Sequence, residues 1–474
     1  MRMSCSSFER ARSSARSVAF GERSERSVRT TRGVLVLTAV LAAAAFTAVP
    51  AGAQVVTDSI THKRFGIVPT TNAHPRAGAA CNAENSDCTT LSYGGGPVQH
   101  AEKDYLFFWT PAGHNAPSAY RLGMNSWLTE IGAADYTSGN PISVDQQYYD
   151  DSGPGGAHNF VPYAVVDGGM LIDTDAYPTS GCPIVSGQTV CLTDAQLTSE
   201  LSTYLAAHPT LPKGLGAEYF ILTPVGVDTC FDSGGTSCAY TAYCGYHSND
   251  GTGASQILYA DMPWAYNESG CDVNLAFGTG YPNADGIDPV VGIFSHELSE
   301  TMTDPDPSSG WTQTSGTDAG YEVGDKCAYI YGTGGYGSTT GLANNGLGYW
   351  NVALGSDQYL MQMEFDNRIA NCAVKDTDVQ PAETLTITPN PPTHGSVATL
   401  KASITDTLGV AYVQWVFGDG KAGTTQGTSC TGTSPVVCSI NHTYAAASPG
   451  VTASAVVTDK DGNEKKVTLT FSVS

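Results

Sequence analysis

Residues 288–305 read DPVVGIFSHELSETMTDP, and this stretch decides how the rest of the chain is interpreted. Its apolar residues recur at three- and four-residue spacing, which predicts an amphipathic helix. Asp288 suits the N-cap and Pro289 the first helical position. Pro305 ends the helix, because the residue before a proline avoids the α region.

The helix carries a His-Glu-x-x-Glu motif, one residue away from the His-Glu-x-x-His signature of zinc metallopeptidases. His296 and Glu300 are four residues apart and therefore share one face. Glu297 lies about 100° round the helix, as a general base beside a metal-bound water requires. The hypothesis is that Glu300 replaces a histidine ligand. The alternative is a solvated acidic face with an incidental histidine.

The acidic residues of this helix lie toward its C-terminal end, with no Lys or Arg in the element. Glu297, Glu300 and Asp304 oppose the helix macrodipole there, at roughly 0.3–1 kcal/mol each. A bound cation would offset this unfavourable interaction.

A catalytic zinc site takes three protein ligands and keeps one position open. The segment 320–327 offers Glu322 and Asp325 as the third ligand, although an exposed acidic turn is the alternative interpretation. Asp304 is a weaker candidate, because its face has drifted by about 80° from that of His296. One histidine with two carboxylates also suits calcium or manganese.

Other candidate residues carry weaker signals. Trp311, in the loop after the helix, is a candidate for lining a substrate cleft, although a lone tryptophan is more often part of a core. Histidines outside the motif, including His247, are interpreted as isolated core or surface residues.

The N-terminal residues predict export. Residues 1–32 are rich in Arg and Ser, residues 34–49 are apolar, and Ala51-Gly52-Ala53 resembles a cleavage site, so 1–53 is predicted to be a signal peptide. Residues 54–90 are expected to be a loose lead-in or propeptide. Without the leader, 14 basic and 42 acidic side chains remain. Such a surface rejects nucleic acid and anionic membranes, and a secreted monomer is expected.

Cysteine usage agrees with export, because twelve of the 13 cysteines lie beyond the leader. An even set at these spacings predicts disulfides rather than zinc ribbons. Short-range pairs are suggested for Cys81 with Cys88, Cys182 with Cys191 and Cys430 with Cys438. Cys230, Cys238, Cys244 and Cys271 form a cluster, which leaves Cys327 and Cys372.

Two domains follow from the pattern along the chain. Helical and strand patterns alternate over residues 91–376, which predicts an α+β or α/β domain. Short strands with Gly, Pro, Asn and Asp turns fill residues 383–474, which predicts an all-β immunoglobulin-like sandwich.

The sandwich region resembles a PKD (polycystic-kidney-disease) domain. The resemblance is carried by Trp415-Val416-Phe417-Gly418-Asp419-Gly420, His442-Thr443-Tyr444 and Asp459-Lys460-Asp461-Gly462. It implies a β-sandwich accessory with an adhesive, spacer or docking role.

The larger domain resembles the EXORDIUM, or phosphate-induced, family of secreted proteins. The carrying segments are LSYGGGPV at 91–98, EYFILT at 218–223, SHELSE at 295–300 and EVGDKC at 322–327. The resemblance implies a zincin-like site with His296 and Glu300 as ligands and Glu297 as base. The position of Asp304 looks like Asn in plant members, which favours Glu322 or Asp325 as third ligand.

The functional expectation is a secreted, zinc-dependent hydrolase of the peptidase type. The alternative is a non-catalytic extracellular binding protein with a structural calcium site. The expected partner is an extracellular protein or a cell-wall polysaccharide.

Overall fold

The computed structural model describes residues 55–72, 88–101, 103–134, 139–153, 157–162, 165–184, 187–283, 286–316, 318–332, 341–376 and 381–474. These described residues belong to one compact unit. The predicted signal peptide and Cys81 lie outside the described residues.

The described chain is mostly β-structure with four α-helices. The helices are α1 Ser118–Ala133, α2 Asp194–Ala207, α3 Val273–Phe277 and α4 Asp288–Thr303. Short 3₁₀ helices span Pro141–Gln147, Gly253–Ser255, Asp325–Cys327 and Gly427–Ser429. The strands are β1 Val55–Thr57, β2 Arg64–Pro69, β3 Ser92–Tyr93, β4 Asp104–Trp109, β5 Tyr149–Asp150, β6 Asn159–Phe160, β7 Asp167–Asp173, β8 Val190–Thr193, β9 Glu218–Leu222, β10 Val227–Cys230, β11 Tyr243–Asp250, β12 Ile257–Met262, β13 Trp311–Thr312, β14 Gly341–Leu342, β15 Tyr349–Trp350, β16 Val352–Leu354, β17 Asp357–Tyr359, β18 Glu364–Asp366, β19 Asn371–Ala373, β20 Ala382–Thr388, β21 Val397–Thr405, β22 Val410–Val416, β23 Ala422–Gln426, β24 Val436–Thr443, β25 Ser448–Asp459 and β26 Glu464–Val473.

A seven-stranded sheet organises the larger part, in the order β1-β2-β11-β12-β9-β4-β7. Strands β12, β9, β4 and β7 pair in parallel. β11 is antiparallel to β12, β2 to β11 and β1 to β2. The described part of residues 91–376 is mostly β-structure with few helices, and the zincin-like α+β fold expected for it stays a prediction. Outside this sheet, the strands in that range are ladders of two to four residues.

Helices cover both faces of this sheet. Along β9, Phe220 and Leu222 belong to the core that contains α1 and α4. Tyr219 and Ile221 belong to the opposite core with α2. This two-residue alternation is what a strand buried on both faces requires.

Helix α4 lies against the sheet and is buried along its whole length. The Phe294 ring stacks on Phe220 with centroids 3.6 Å apart and meets the edge of Trp127 from α1 at 4.7 Å. Ile287, not Asp288, is the N-cap residue; Asp288 instead accepts hydrogen bonds from the backbone and side chain of Asn283.

Residues 381–474 form two antiparallel sheets, β20-β21-β24 and β23-β22-β25-β26. Leu400, Trp415 and Val457 are fully buried in the core that these strands enclose. This is the two-layer, all-β arrangement expected of the region.

The first strands lie in the stretch predicted to be a loose lead-in. β1 and β2 are part of the central sheet, and Phe65 and Val68 are 0% and 1% exposed. The prediction of a loose segment is therefore wrong for residues 55–57 and 64–69. The short apolar strand was missed because the sequence around it is rich in Ala, Asn and Thr.

Five disulfides join described cysteines, which agrees with export. They are Cys182–Cys191, Cys230–Cys238, Cys244–Cys271, Cys327–Cys372 and Cys430–Cys438. The short-range pairs, apart from the one involving Cys81, are confirmed. None of the described helices has the length and apolar character that a membrane span requires.

Phe294→Ala should lower the free energy of unfolding by about 3–5 kcal/mol, because it opens a cavity behind α4. The control is Leu122→Ala on α1, where the side chain is 62% exposed and the change should stay within about 0.5 kcal/mol. Urea unfolding followed by fluorescence measures both. A loss below about 1 kcal/mol for Phe294→Ala would contradict this packing.

Candidate metal centre

The three motif residues of α4 are completely buried. His296, Glu297 and Glu300 each have 0% exposure. α4 presents them to the end of the sheet formed by β11 and β2, and the segment around the 3₁₀ helix Asp325–Cys327 closes the other side. The solvated acidic face considered from the sequence does not exist.

His296, Glu300 and Asp325 converge on one point. Nε2 of His296 lies 2.9 Å from Oε1 of Glu300 and 3.6 Å from Oδ1 of Asp325. One ligand atom from each of the three lies within 4.8 Å of the others. Although these atoms are close, Nε2 of His296, Oε2 of Glu300 and Oδ1 of Asp325 have no hydrogen-bond partner.

A second histidine, His247 of β11, joins the same cluster. Its Nδ1 lies 3.1 Å from Oε2 of Glu297 and 3.5 Å from Oε2 of Glu300. Its Nε2 lies 3.7 Å from Oε1 of Glu322. The interpretation of His247 as isolated was wrong. No strand is predicted at His247 from the sequence, and sequence alone does not show which strand lies next to the helix.

Gln362 fixes the orientation of the His296 ring. Its side-chain oxygen lies 3.2 Å and its amide nitrogen 2.9 Å from Nδ1 of His296. The oxygen also accepts the Tyr329 N–H at 3.0 Å, and the nitrogen donates to the Gly324 carbonyl at 2.9 Å. An Nδ1–H that donates to the Gln362 oxygen leaves the Nε2 lone pair directed at the carboxylates. Metal-ligating histidines are usually held in this way. Sequence analysis gave no signal for Gln362.

Burial determines the protonation of the acids. It raises the pKa of Glu297, Glu300, Glu322 and Asp325 well above their ordinary values, and neighbouring carboxylates add to the effect for each of them; for Glu300 that neighbour is Asp304. The anionic forms are disfavoured because charges of one sign are buried together.

His247 and His296 do not neutralise the negative charge that these acids would carry when ionised. Burial lowers the pKa of His247 to about 3, and burial also lowers that of His296. Both rings are therefore neutral at physiological pH and present lone pairs, which is the form that binds metal.

These residues fit a divalent cation. Within the described chain, Nε2 of His247, Nε2 of His296 and both oxygens of Glu322 are buried and make no hydrogen bond of normal geometry. Buried polar atoms are ordinarily paired, so each of these atoms requires an explanation. A cation bound by His296, Glu300 and Asp325 would satisfy the unpaired atoms of these three residues. The atoms of His247 and Glu322 would need to lie within reach of the same ion. A donor set of one nitrogen and carboxylate oxygens accommodates zinc, with calcium or manganese as alternatives.

Asp304 and Trp311 make contacts outside the group of His296, Glu300 and Asp325. The Asp304 carboxylate accepts backbone N–H groups from Ser308, Ser309 and Gly310 at 2.6–3.0 Å, so it shapes the loop after α4. Trp311 is 7% exposed and packs in an aromatic cluster, with its indole N–H donating to the Tyr149 carbonyl at 2.8 Å. These contacts give Asp304 a structural role, and the predicted substrate contact of Trp311 stays a prediction.

Asp145 and Glu364 extend the acidic region. Each is completely buried, and among the described residues neither carboxylate oxygen pair makes a hydrogen bond of normal geometry, although the Ser299 hydroxyl lies near Asp145. Burial raises the pKa of Glu364 well above its ordinary value, and the charges of Asp145 and Glu300 contribute. Sequence analysis did not identify either residue.

Known proteins resemble part of this chain. The family described as phosphate-induced protein 1 conserved region matches residues 263–375, which contain α4 and the segment 322–325. The Arabidopsis thaliana protein EXORDIUM-like 3 is 34% identical over 94 residues, which are 19% of this chain and 28% of that protein. The chain thus spans little more than a quarter of that relative.

Solved structures give only remote likeness. OgpA from Akkermansia muciniphila is 9% identical and covers 82% of this chain and 96% of its own, with a TM-score of 0.20. The PKD1 domain of Vibrio anguillarum Epp is 21% identical over 20% of this chain and 95% of its own, with a TM-score of 0.16. At such scores neither likeness supports an argument about this protein.

Gln362→Leu should weaken zinc binding by about 10–100-fold, because the ring of His296 loses its orienting partner. The control, Gln414→Leu, makes the same change at an exposed position of the sandwich and should leave the Kd unchanged. Competition with a chromophoric chelator measures both. Equal affinity for the two variants would remove Gln362 from the site.

Metal-free protein should lose stability as the pH rises above about 7.5. Burial raises the native-state pKa of Glu300 and Asp325, so the native state retains protons that the unfolded state has released, and stability falls as pH increases. Unfolded-state histidines have a pKa of about 6.5, and the native-state pKa values of His247 and His296 are lowered. They therefore add an opposite slope near pH 6.5, and the effect of the acids is measured above about pH 7.5. The melting temperature of chelated protein should fall, and that of zinc-loaded protein should fall less. A rising melting temperature of the chelated protein would contradict the burial of these acids.

Proposed function

We propose that this protein is a secreted metal-dependent hydrolase of the peptidase type. The observation that carries the proposal is the convergence of His296, Glu300 and Asp325 on one buried point. In the described chain Nε2 of His296, Oε2 of Glu300 and Oδ1 of Asp325 make no hydrogen bond there, while Oε1 of Glu300 accepts the Asp325 N–H. Glu297 stands beside this group, held by His247. A purely structural cation site would need His296, Glu300 and Asp325. It would not need the Glu297 carboxylate held beside them by His247.

Each residue has a separable role. His296, Glu300 and Asp325 hold the ion, and Gln362 orients His296. Zinc, when bound, supplies a water of lowered pKa and polarises a carbonyl. Glu297 accepts a proton at Oε2, where the Nδ1 of His247 lies 3.1 Å away. Glu322 faces the other nitrogen of His247 and adds negative charge near the site.

Extracellular action is supported by the five disulfides and by the predicted signal peptide. The likeness to a plant EXORDIUM-like protein is consistent with secretion. We propose that the sandwich, with its PKD-like motifs, docks the enzyme on an extracellular protein or a cell-wall polysaccharide.

Glu297→Gln should retain about one equivalent of zinc and lose about 10²–10⁴-fold of the hydrolytic rate, because only the base is removed. His296→Gln should lose both metal and activity. Glu268→Gln, at a half-buried glutamate in the loop before α3, is the matched control and should change neither. Elemental analysis gives the metal content. Activity is measured by mass spectrometry as the hydrolysis of peptides in a mixture. The mixture is incubated with the intact protein and, separately, with protein that has been treated by limited proteolysis. Wild-type activity in Glu297→Gln would refute the assigned base.

A second candidate is a non-catalytic extracellular binding protein with a structural calcium ion. The observation that favours it is the complete burial of every side chain in the cluster, since a catalytic site must admit substrate. Thermal melts in chelator, with calcium or zinc added back, separate the two functions. Stabilisation by calcium alone, with no zinc in the purified protein, would favour this candidate.

A further inference from the structure

We propose that the site accepts an extended polypeptide as a strand added to β11, and that residues 64–69 of this chain occupy that place in the intact protein. The proposal deepens the hydrolase function proposed above and rests on it. It makes the protein a self-blocked peptidase whose own N-terminal strand marks the path of the substrate.

Strand pairing supports the added-strand position. β11 carries His247, and β2 pairs with it antiparallel, with Gly66 opposite His247 and Val68 opposite Gly245. In the described sheet only β2 and β1 lie outside β11. Without them β11 would present a row of unpaired backbone groups, which is the template that peptide-binding sheets use.

The backbone of β2 contacts the catalytic group directly. The Val68 N–H donates to Oε1 of Glu297 at 3.2 Å. Gly66 lies so close to the cluster that a Cβ at this position would collide with the ring of His247 and the carboxylate of Glu322. The segment therefore places bare polypeptide backbone against the base, as a peptide substrate must be placed.

Side chains of the segment alternate between the two faces of the sheet. Phe65 is fully buried and stacks on Phe231 with centroids 4.1 Å apart. Gly66 faces the cluster on the opposite side. This alternation defines a recognition pattern, with an aromatic side chain held in a pocket and a small residue next to it at the metal centre.

The segment is tied to the rest of the protein by non-covalent contacts. Residues 55–72 contain no cysteine. The Lys63 ammonium lies 3.0 Å from Asp194, and Arg64 lies 3.1 Å from Asp306. Tyr329 donates its hydroxyl proton to the Pro69 carbonyl at 2.5 Å. One cut after Asn72 would therefore leave a strand that can dissociate and expose the site.

The test is a full-length protein with a specific protease site, in a Gly-Ser linker, between Asn72 and Ala73. After cleavage, a fluorescent synthetic peptide of residues 55–72 should exchange with the resident fragment. Removal of the fragment should raise the rate of peptide hydrolysis in zinc by at least about tenfold, and excess synthetic peptide should reverse the gain.

Matched peptides test the contact with the metal centre. The Gly66→Ala peptide should bind at least about tenfold more weakly than the native peptide, because its methyl group meets His247. The Ile60→Ala peptide changes a side chain that is 65% exposed and should bind like the native one. Equal binding of all three peptides would overturn the proposal.

Two further outcomes would also overturn it. The cleaved fragment could fail to exchange, or the protein could lose its cooperative melting transition when the fragment leaves; either result makes β2 a permanent strand. Failure of the hydrolase function is distinguishable. In that case the released protein binds the peptide with the expected dependence on Gly66 but hydrolyses nothing in zinc.

Discussion

The structure depends on one constraint, which is that several carboxylates are buried around one helix. Among the described residues, no Lys or Arg pairs with them. Glu297, Glu300, Glu322 and Asp325 are completely buried, and their ion-pair partners in the described chain are two histidines held neutral by burial. Uncompensated buried charge is strongly destabilising. A bound cation would resolve this conflict, and metal binding would then be coupled to folding.

The framework around these groups keeps them from relaxing. α4 is pressed onto the sheet by Phe294 and its aromatic neighbours. Gln362 links His296 to the backbone of Gly324 and Tyr329. The absence of a side chain at Gly324 has a steric reason, because a Cβ there would press against the ring of His296. These contacts hold the donor atoms together before any ion arrives.

Complete burial and catalysis are compatible only if something covers the site reversibly. β2 is the element in that position, since its backbone reaches Glu297 and its Gly66 lies against His247. The same observation explains why the segment after the predicted signal peptide is a strand of the main sheet. It also connects the two functional candidates, which differ in whether β2 ever leaves.

The sequence determined the local features. The apolar spacing, Asp288-Pro289 and Pro305 predict α4 to within a residue at its start, since helix periodicity and proline restriction are properties of the local chain. Alternating short strands predict the sandwich, and cysteine spacing predicts the short disulfide loops, for the same reason. Sequence also brought Asp325 forward as a possible ligand, although it left Glu322 and Asp304 open.

Only the tertiary structure decided which distant residues meet. His247 comes from a strand 49 positions before His296 and reaches the cluster because β11 lies over α4. Gln362 and Glu364 come from a part of the chain more than 30 residues after the 3₁₀ helix Asp325–Cys327. The place of β2 depends on the order of strands in the sheet, and the local sequence pattern of a strand does not determine that order. Local spacing fixes the face on which a side chain lies, but sheet order and packing fix what that face contacts.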